Sequence, residues 1–240
     1  MRSEKEIWFR TICLKNGMTI TDFQIELMSQ YVKLLLEWNK KINLISRRDE
    51  DNVWTYHILH SVSPLFKVRI IEGSNIVDIG TGGGLPSIPI KIIRPDISLL
   101  CLDATRKKVN AVSQIIDELK LKEIHTIWGR AEDIGIQSDY EYKFDFVIAR
   151  AVCQLKDLIF FSKSFLKKRT YSLAPETTTI NGLINPEPPA LIAFKGGELK
   201  RELETAKRQF PNVKIKSIDI AFNGSEQLIA SDKKILVVHL

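Results

Sequence analysis

The chain is poor in the residues that build covalent or metal frameworks. Its 240 residues hold three cysteines, Cys13, Cys101 and Cys153, and four histidines. The cysteines are odd in number, far apart and outside any C-x-x-C spacing, which argues against a disulfide framework or a zinc site. They read as packing thiols of a protein kept in a reducing cytoplasm. His57 and His60 lie three apart with no third ligand in sight, so no metal is expected. No apolar run approaches the roughly 20 residues of a membrane span. The segment from Met1 to Arg10 mixes charges where a secretory signal needs an apolar stretch. Internal repeats, a Ser-His-Asp set and paired catalytic carboxylates are missing as well. Basic residues exceed acidic ones by only 6, which admits a polyanionic partner without requiring one.

What is present is a change of pattern near Gly73. Before it, Thr21-Asp-Phe-Gln24 has capping-box spacing, and Phe23, Leu27, Tyr31, Leu34, Leu35 and Trp38 recur at helical intervals. A second helical stretch is predicted from Asp51 to Pro64. After it, strands alternate with helices. Strands are predicted over 75–79, 97–102, 123–128, 144–149 and 190–194. The helices between them reach Ile93, run from Thr105 to Leu121, and run from Val152 to Lys167. A last helix, Glu198 to Phe210, precedes two closing strands, 213–221 and 234–240, joined by a turn at Asn223-Gly224 with no helix between them. Such alternation predicts a parallel sheet covered on both faces, and the closing pair puts one antiparallel strand into it. That inventory is the doubly wound, Rossmann-like α/β fold of class I methyltransferases: a mostly parallel seven-stranded sheet with an N-terminal helical extension. The polar, proline-rich 168–189 segment reads as an inserted surface loop.

The chemistry concentrates on Val77-Asp-Ile-Gly-Thr-Gly-Gly-Gly-Leu-Pro86. Glycines let the chain leave a strand, turn sharply and allow a ligand against its backbone. Glycine spacing alone is shared with dinucleotide folds. Asp78 discriminates: an acid just before the turn repels a pyrophosphate but favours the ammonium and sulfonium of S-adenosylmethionine. The competing reading of Asp78 is a plain turn cap. Asp103 closes the second strand, at the spacing of about 20 residues where an acid binds ribose hydroxyls; a helix cap before Thr105 is its bland alternative. Gly129-Arg-Ala-Glu-Asp133 ends the third strand, where Ala131 and Glu132 pass beside an adenine. Arg150, past the fourth strand, stands where class I enzymes bring substrate to the methyl group, unless it is spent on an ion pair with Asp145 or Glu141. Lys40, Lys41, Arg47 and Arg48 form either a phosphate-binding edge or a solvated face. Trp38 and Trp54 are candidates for base stacking or for the core.

Several segments together resemble one family. Trp38-Asn-Lys-Lys-Ile-Asn-Leu44, Arg48-Asp49, His57-Ile-Leu before Ser61, the Asp78 glycine segment, Arg94-Pro95, Leu102-Asp103, Lys107-Lys108, Arg130-Ala-Glu132, Ile148-Ala-Arg-Ala151 and Lys195-Gly196 are similar to the RsmG family, formerly glucose-inhibited division protein B. The resemblance covers roughly residues 20 to 240. It implies methyl transfer from S-adenosylmethionine to N7 of guanine 527, in the 530 loop of 16S rRNA of the small ribosomal subunit. It also implies cofactor contacts at Gly80, Leu85, Ala131, Glu132 and Arg150. His60 departs from the family, standing where many members carry Asp; so do Gly83, Ser87 and the 168–189 insertion. N7 methylation removes no proton, which fits a chain without an evident general base.

The expected organisation is therefore a helical extension over 1–66 packed on an S-adenosylmethionine-binding domain over 67–240. The expected cofactor set is Asp78, Gly80, Gly82, Gly84, Leu85, Asp103, Ala131, Glu132 and Arg150, with Arg150 also the catalytic residue. The expected partner is 16S rRNA, without membrane, the chain acting as a cytoplasmic monomer. A methyltransferase of another substrate, a non-catalytic ribosome factor and, weakest, a nicotinamide dehydrogenase stay as alternatives.

Overall fold

The computed structural model describes residues 2–168, 178–180 and 183–240. Two helices open the chain, α1 (Glu4–Lys15) and α2 (Asp22–Asn39). Each starts on a complete capping box, Ser3 with Glu6 and Thr21 with Gln24. A chain of short turns follows: a 3-10 turn over Arg47–Asn52, a π turn over Trp54–Leu59, α3 (His60–Val62) and a 3-10 turn over Ser63–Phe66. The alternating region comprises β1 (Asn75–Ile79), α4 (Ser87–Ile93), β2 (Ser98–Asp103), α5 (Arg106–Glu118), β3 (Ile124–Trp128), α6 (Ala131–Ile134), β4 (Phe146–Arg150) and α7 (Leu155–Phe165). It continues through β5 (Thr178–Ile180), β6 (Leu183–Asn185), β7 (Ala190–Gly196), α8 (Lys200–Gln209), β8 (Lys214–Asp219), α9 (Glu226–Ala230) and β9 (Lys233–His239).

Seven strands form one sheet in the order β3-β2-β1-β4-β7-β9-β8. β9 runs antiparallel to both its neighbours, and the other pairings are parallel. The expected class I architecture is thus the observed one, with its single reversed strand. Side chains alternate across the sheet, as strand geometry requires. Ile76, Cys101, Ile148 and Ile192 face a core built with α2, α4 and α5. Val77, Leu102, Ala149 and Ala193 face a second core built with α7 and α8. Asp78, two residues after Ile76, points into the first of these cores. β1 and β4 are sheet neighbours whose following helices lie on opposite faces, which opens a crevice at the carboxyl ends of the strands.

The extension sits on the α4 side of the sheet. The Gln24 side chain of α2 donates to the last carbonyls of α4, at Ile92 (2.9 Å) and Ile93 (3.1 Å), satisfying acceptors a helix end leaves open. The structure departs from or adds to the sequence reading at four places. The opening residues form α1, which the periodicity reading passed over. The 51–64 stretch is a succession of 3-10, π and α turns rather than one helix. The closing strands are joined through the short α9, not by a bare turn. The 168–189 segment lies partly outside the described residues (169–177 and 181–182), while β5 and β6 pair antiparallel, and Ile184 exchanges backbone bonds of 2.7 Å with Lys67 and Arg69. No helix among the described residues is long and apolar enough to cross a membrane.

Candidate active site

The turn after β1 is built from backbone. The amides of Gly80 and Thr81 donate to Leu102 of β2 at 2.8 and 3.0 Å, and the amides of Gly84 and Leu85 return to the Thr81 carbonyl at 2.9 Å. Gly80, Gly82 and Gly84 have φ of 72°, 58° and 84°, the left-handed region that favours glycine. A Cβ on Gly80 would stand 2.7 Å from Val152, and one on Gly84 2.5 Å from Ile88. Gly83 answers to a different neighbour. Its Cβ would lie 2.8 Å from Leu35 of α2, and its carbonyl accepts from the buried Tyr31 hydroxyl at 2.9 Å. The extension therefore shapes the turn directly.

Beside the turn is a cavity of about 430 Å³, within the range of small-molecule sites. One wall is Gly80, Gly82 and Leu85; a second is Asp103 and Ala104 at the end of β2, with Lys108 of α5. Arg150, Ala151 and Val152 form a third at the end of β4, and Leu44, Ile45, Ser46 and His57 of the extension close the fourth. Five of the expected residues thus share one space: Gly80, Gly82, Leu85, Asp103 and Arg150. Asp78, Gly84, Ala131 and Glu132 are not part of its wall. Gly84 serves the bend of the turn, Ala131 is buried in the core beside α7, and Glu132 is exposed with Arg130 at 3.8 Å.

Asp78 lies beneath the turn, wholly buried. Its Oδ2 accepts from the Ser87 hydroxyl at 2.7 Å. Oδ1, like the Thr81 hydroxyl oxygen, is buried with no hydrogen-bond partner of good geometry among the described residues. Burial pushes the Asp78 carboxyl up to about 7, against the pull of the Ser87 and Thr81 hydroxyls and of Arg150. A buried polar atom without a partner costs about 1–3 kcal/mol. Such atoms under a glycine turn fit a cationic, hydrogen-bonding ligand such as the amino-acid end of S-adenosylmethionine. Asp103 is engaged differently: its two oxygens accept from the amides of Gly82 (3.0 Å) and Thr105 (2.8 Å). It fixes the bend that leads into α5 and also ties down the glycine turn, and a carboxylate has about four lone-pair sites, so capacity is left for a diol.

Arg150 ends β4 and carries its guanidinium to the extension. Nη2 meets His57 Nδ1 at 3.0 Å, and Nη1 approaches the Tyr56 carbonyl at 3.5 Å. Burial lowers its pKa to about 10, so it stays charged at neutral pH. The ion pairs offered by Asp145 and Glu141 are not made; Asp145 is taken by Lys167 at 2.7 Å. The next residue, Ala151, has φ 56°, and Lys195 of β7 steadies this loop by donating to the Cys153 carbonyl (2.6 Å) and to Glu202 (2.5 Å). His60 packs edge-on against Phe194, centroids 5.3 Å apart. Trp54 is core, 5.5 Å from Phe9.

Outside the cavity mouth, Lys40, Lys41, Arg47 and Lys107 line one groove with Lys108, which also borders the cavity. Arg48 is not on that wall. The sequence reading missed Leu44, Ile45, Ser46 and Lys108 as wall residues. Lys108 carried a signal, standing one turn into the helix after Asp103, and Leu44 closes the Trp38–Leu44 segment of the resemblance; Ile45 and Ser46 carried none.

Strand order, glycine turn and the acid at the end of β2 together define a class I methyltransferase. Solved structures agree on the fold: TYW2 of M. jannaschii, in complex with AdoMet, has a TM-score of 0.50 at 12% identity over 83% of this chain and 77% of that one. The Methanococcus jannaschii fibrillarin pre-rRNA processing protein has 0.50 at 16% identity over 73% and 72%. Among sequences, "Ribosomal RNA small subunit methyltransferase G" of Thermoanaerobacter sp. (strain X514) is 33% identical over 224 residues, 91% of this chain and 85% of that protein. The protein of that name from Lactococcus lactis subsp. cremoris (strain SK11) is 37% identical over 220 residues, 90% and 84%. The GidB family, described as rRNA small subunit methyltransferase G, matches residues 24–179. The chain belongs to this family, and it is an S-adenosylmethionine-dependent methyltransferase that acts on rRNA.

Proposed function

We propose that the chain methylates N7 of guanine 527, in the 530 loop of 16S rRNA, working as a cytoplasmic monomer on the small ribosomal subunit. One observation carries the reading: Arg150, Asp103 and the glycine turn share a cavity whose mouth leads through Lys108 into the basic groove of Lys40, Lys41, Arg47 and Lys107. Cofactor and polyanion are thereby served from the carboxyl end of the sheet.

When bound, S-adenosylmethionine supplies a methyl group on positively charged sulfur. In this reading Gly80, Gly82 and Leu85 hold its amino-acid portion, with the buried Asp78 charge beneath. Gly84 sets the bend that allows this. Asp103 takes the ribose hydroxyls, and Ala131 with Glu132 the adenine edge. Arg150 donates to guanine O6 or to a neighbouring phosphate, leaving N7 clear for attack. No residue has to accept a proton, because N7 carries a free lone pair and becomes cationic as the carbon–sulfur bond breaks. Orientation and exclusion of water do the work. The N-terminal part, 1–66, acts in this scheme as a wall of the site belonging to the domain over 67–240.

The test is transfer of labelled methyl from S-adenosylmethionine to 16S rRNA, presented naked and in the small subunit, by wild type and by Arg150→Ala. The reading expects transfer by wild type on at least one substrate and a loss of about 100-fold or more in the variant. Equal transfer by the variant removes Arg150 from the reaction. Tight cofactor binding with no transfer to either substrate favours a non-catalytic ribosome factor.

A further inference from the structure

Of the extension's side chains on the cavity wall, His57 is the one that hydrogen-bonds Arg150. His57 comes from the π turn, whose wider winding is rare and recurs at functional sites. It is 9% exposed; its Nδ1 meets Arg150 Nη2 at 3.0 Å, while Nε2 lies 3.3 Å from Asp49 Oδ2 without hydrogen-bond geometry. A guanidinium only donates. Nδ1 must therefore be the acceptor, which puts the ring proton on Nε2, toward the Asp49 carboxylate. Two further basic groups face this ring, Lys233 of β9 and His60 of α3. Burial and the adjacent Arg150 hold His57 down to about 4, Asp49 opposing, so the imidazole is neutral.

The choice of partner has a consequence for charge. A carboxylate beside Arg150 would neutralise the guanidinium and take two of its donors in a fork. A neutral imidazole takes one N–H and leaves the positive charge and, beyond the long Nη1 contact with the Tyr56 carbonyl, the remaining donors for a ligand in the cavity. Arg150 forms no ion pair within 4 Å among the described residues. We infer that His57 is a positioning residue that fixes the Arg150 guanidinium toward the cavity without discharging it. The inference rests on the reading of Arg150 as the residue that orients substrate. The extension then contributes to turnover and not only to stability.

Two measurements test it. In wild-type protein without ligand, long-range proton–nitrogen correlation spectra of labelled histidine report the tautomer directly. The expected result is a His57 signal with Nε2 protonated and Nδ1 bare, unchanged from pH 8 to about pH 5; a proton on Nδ1, or a charged ring at neutral pH, overturns the assignment. In kinetics, His57→Phe keeps the ring volume without the acceptor. It is expected to lower kcat by about 10–100-fold, as for a misplaced orienting group, with cofactor affinity within about twofold of wild type. In the His57→Phe/Arg150→Ala double variant the loss should equal that of Arg150→Ala alone, since one effect acts through the other. Normal turnover in folded His57→Phe beside lost turnover in Arg150→Ala overturns the positioning role alone. Normal turnover in both overturns the reading of Arg150 and the inference with it.

Discussion

Asp78 shows how burial of one side chain makes folding depend on pH. The folded protein holds its pKa near 7, above the ordinary value of about 3.9. The folded state therefore binds the proton more tightly than the unfolded chain. Its contribution is fully present below about pH 4 and is lost as pH rises through 7. His57, held near 4, works in the opposite direction: its burial costs stability at low pH, and that cost disappears as pH rises to about 6.5. The two slopes mask each other in wild type. We predict that Asp78→Asn loses the fall in stability between pH 4 and 7, read as the difference from wild type in denaturant midpoint at each pH. The same variant should weaken S-adenosylmethionine binding most above pH 7, where wild-type Asp78 is charged. A pH-independent difference between the two proteins contradicts this account.

Between elements, the loop after α2 is where the extension becomes part of the site. Asn39 is 1% exposed. Its carbonyl oxygen accepts from the amides of Leu44 (2.8 Å) and Ile45 (3.0 Å), and its amide donates to Glu50 at 2.6 Å. That one side chain folds Leu44–Ser46 back against the glycine turn. Asn39→Leu leaves two buried amides unpaired and is predicted to cost about 1–3 kcal/mol each in unfolding free energy, at most. It should also weaken cofactor binding in protein that remains folded, measured by calorimetry. What the sequence made legible follows the same division. Strands, crossover helices, the glycine turn, Asp103 and Arg150 are local patterns with fixed periods or spacings, and they were readable. Asn39 and Leu44–Ser46 were not readable as a cavity wall, because their place depends on a long-range fold-back. The π turn escaped for another reason: Trp54, Ile58, Leu59 and Val62 suit an α-helix as well as a π turn, so periodicity cannot separate them. α1 did carry a signal, the Ser3–Glu6 capping box, without a strong apolar stripe behind it. Partners of Asp78 and His57 come from other elements, and spacing along the chain says nothing of them.

At the scale of the whole molecule, the sheet order places the glycine turn and the end of β4 on one edge, and the extension adds a basic border to that edge. Lys40, Lys41 and Arg47 come from the extension, Lys107 and Lys108 from α5, so the groove exists only when the two parts are docked. If this groove tracks the rRNA backbone, binding must weaken with salt. Replacing Lys40, Lys41 and Lys107 by Ala is predicted to lower the slope of log affinity against log salt by roughly 0.7 for each phosphate the protein no longer neutralises, with cofactor affinity unchanged. An unchanged slope would place the RNA elsewhere. The central claim is that this edge delivers a methyl group to one guanine N7. Mass mapping of 16S rRNA after reaction with the purified protein and S-adenosylmethionine tests it most directly. The account predicts 7-methylguanine at guanine 527, absent with Arg150→Ala. A methyl group on any other atom or nucleotide, or none at all on naked or assembled RNA, contradicts it.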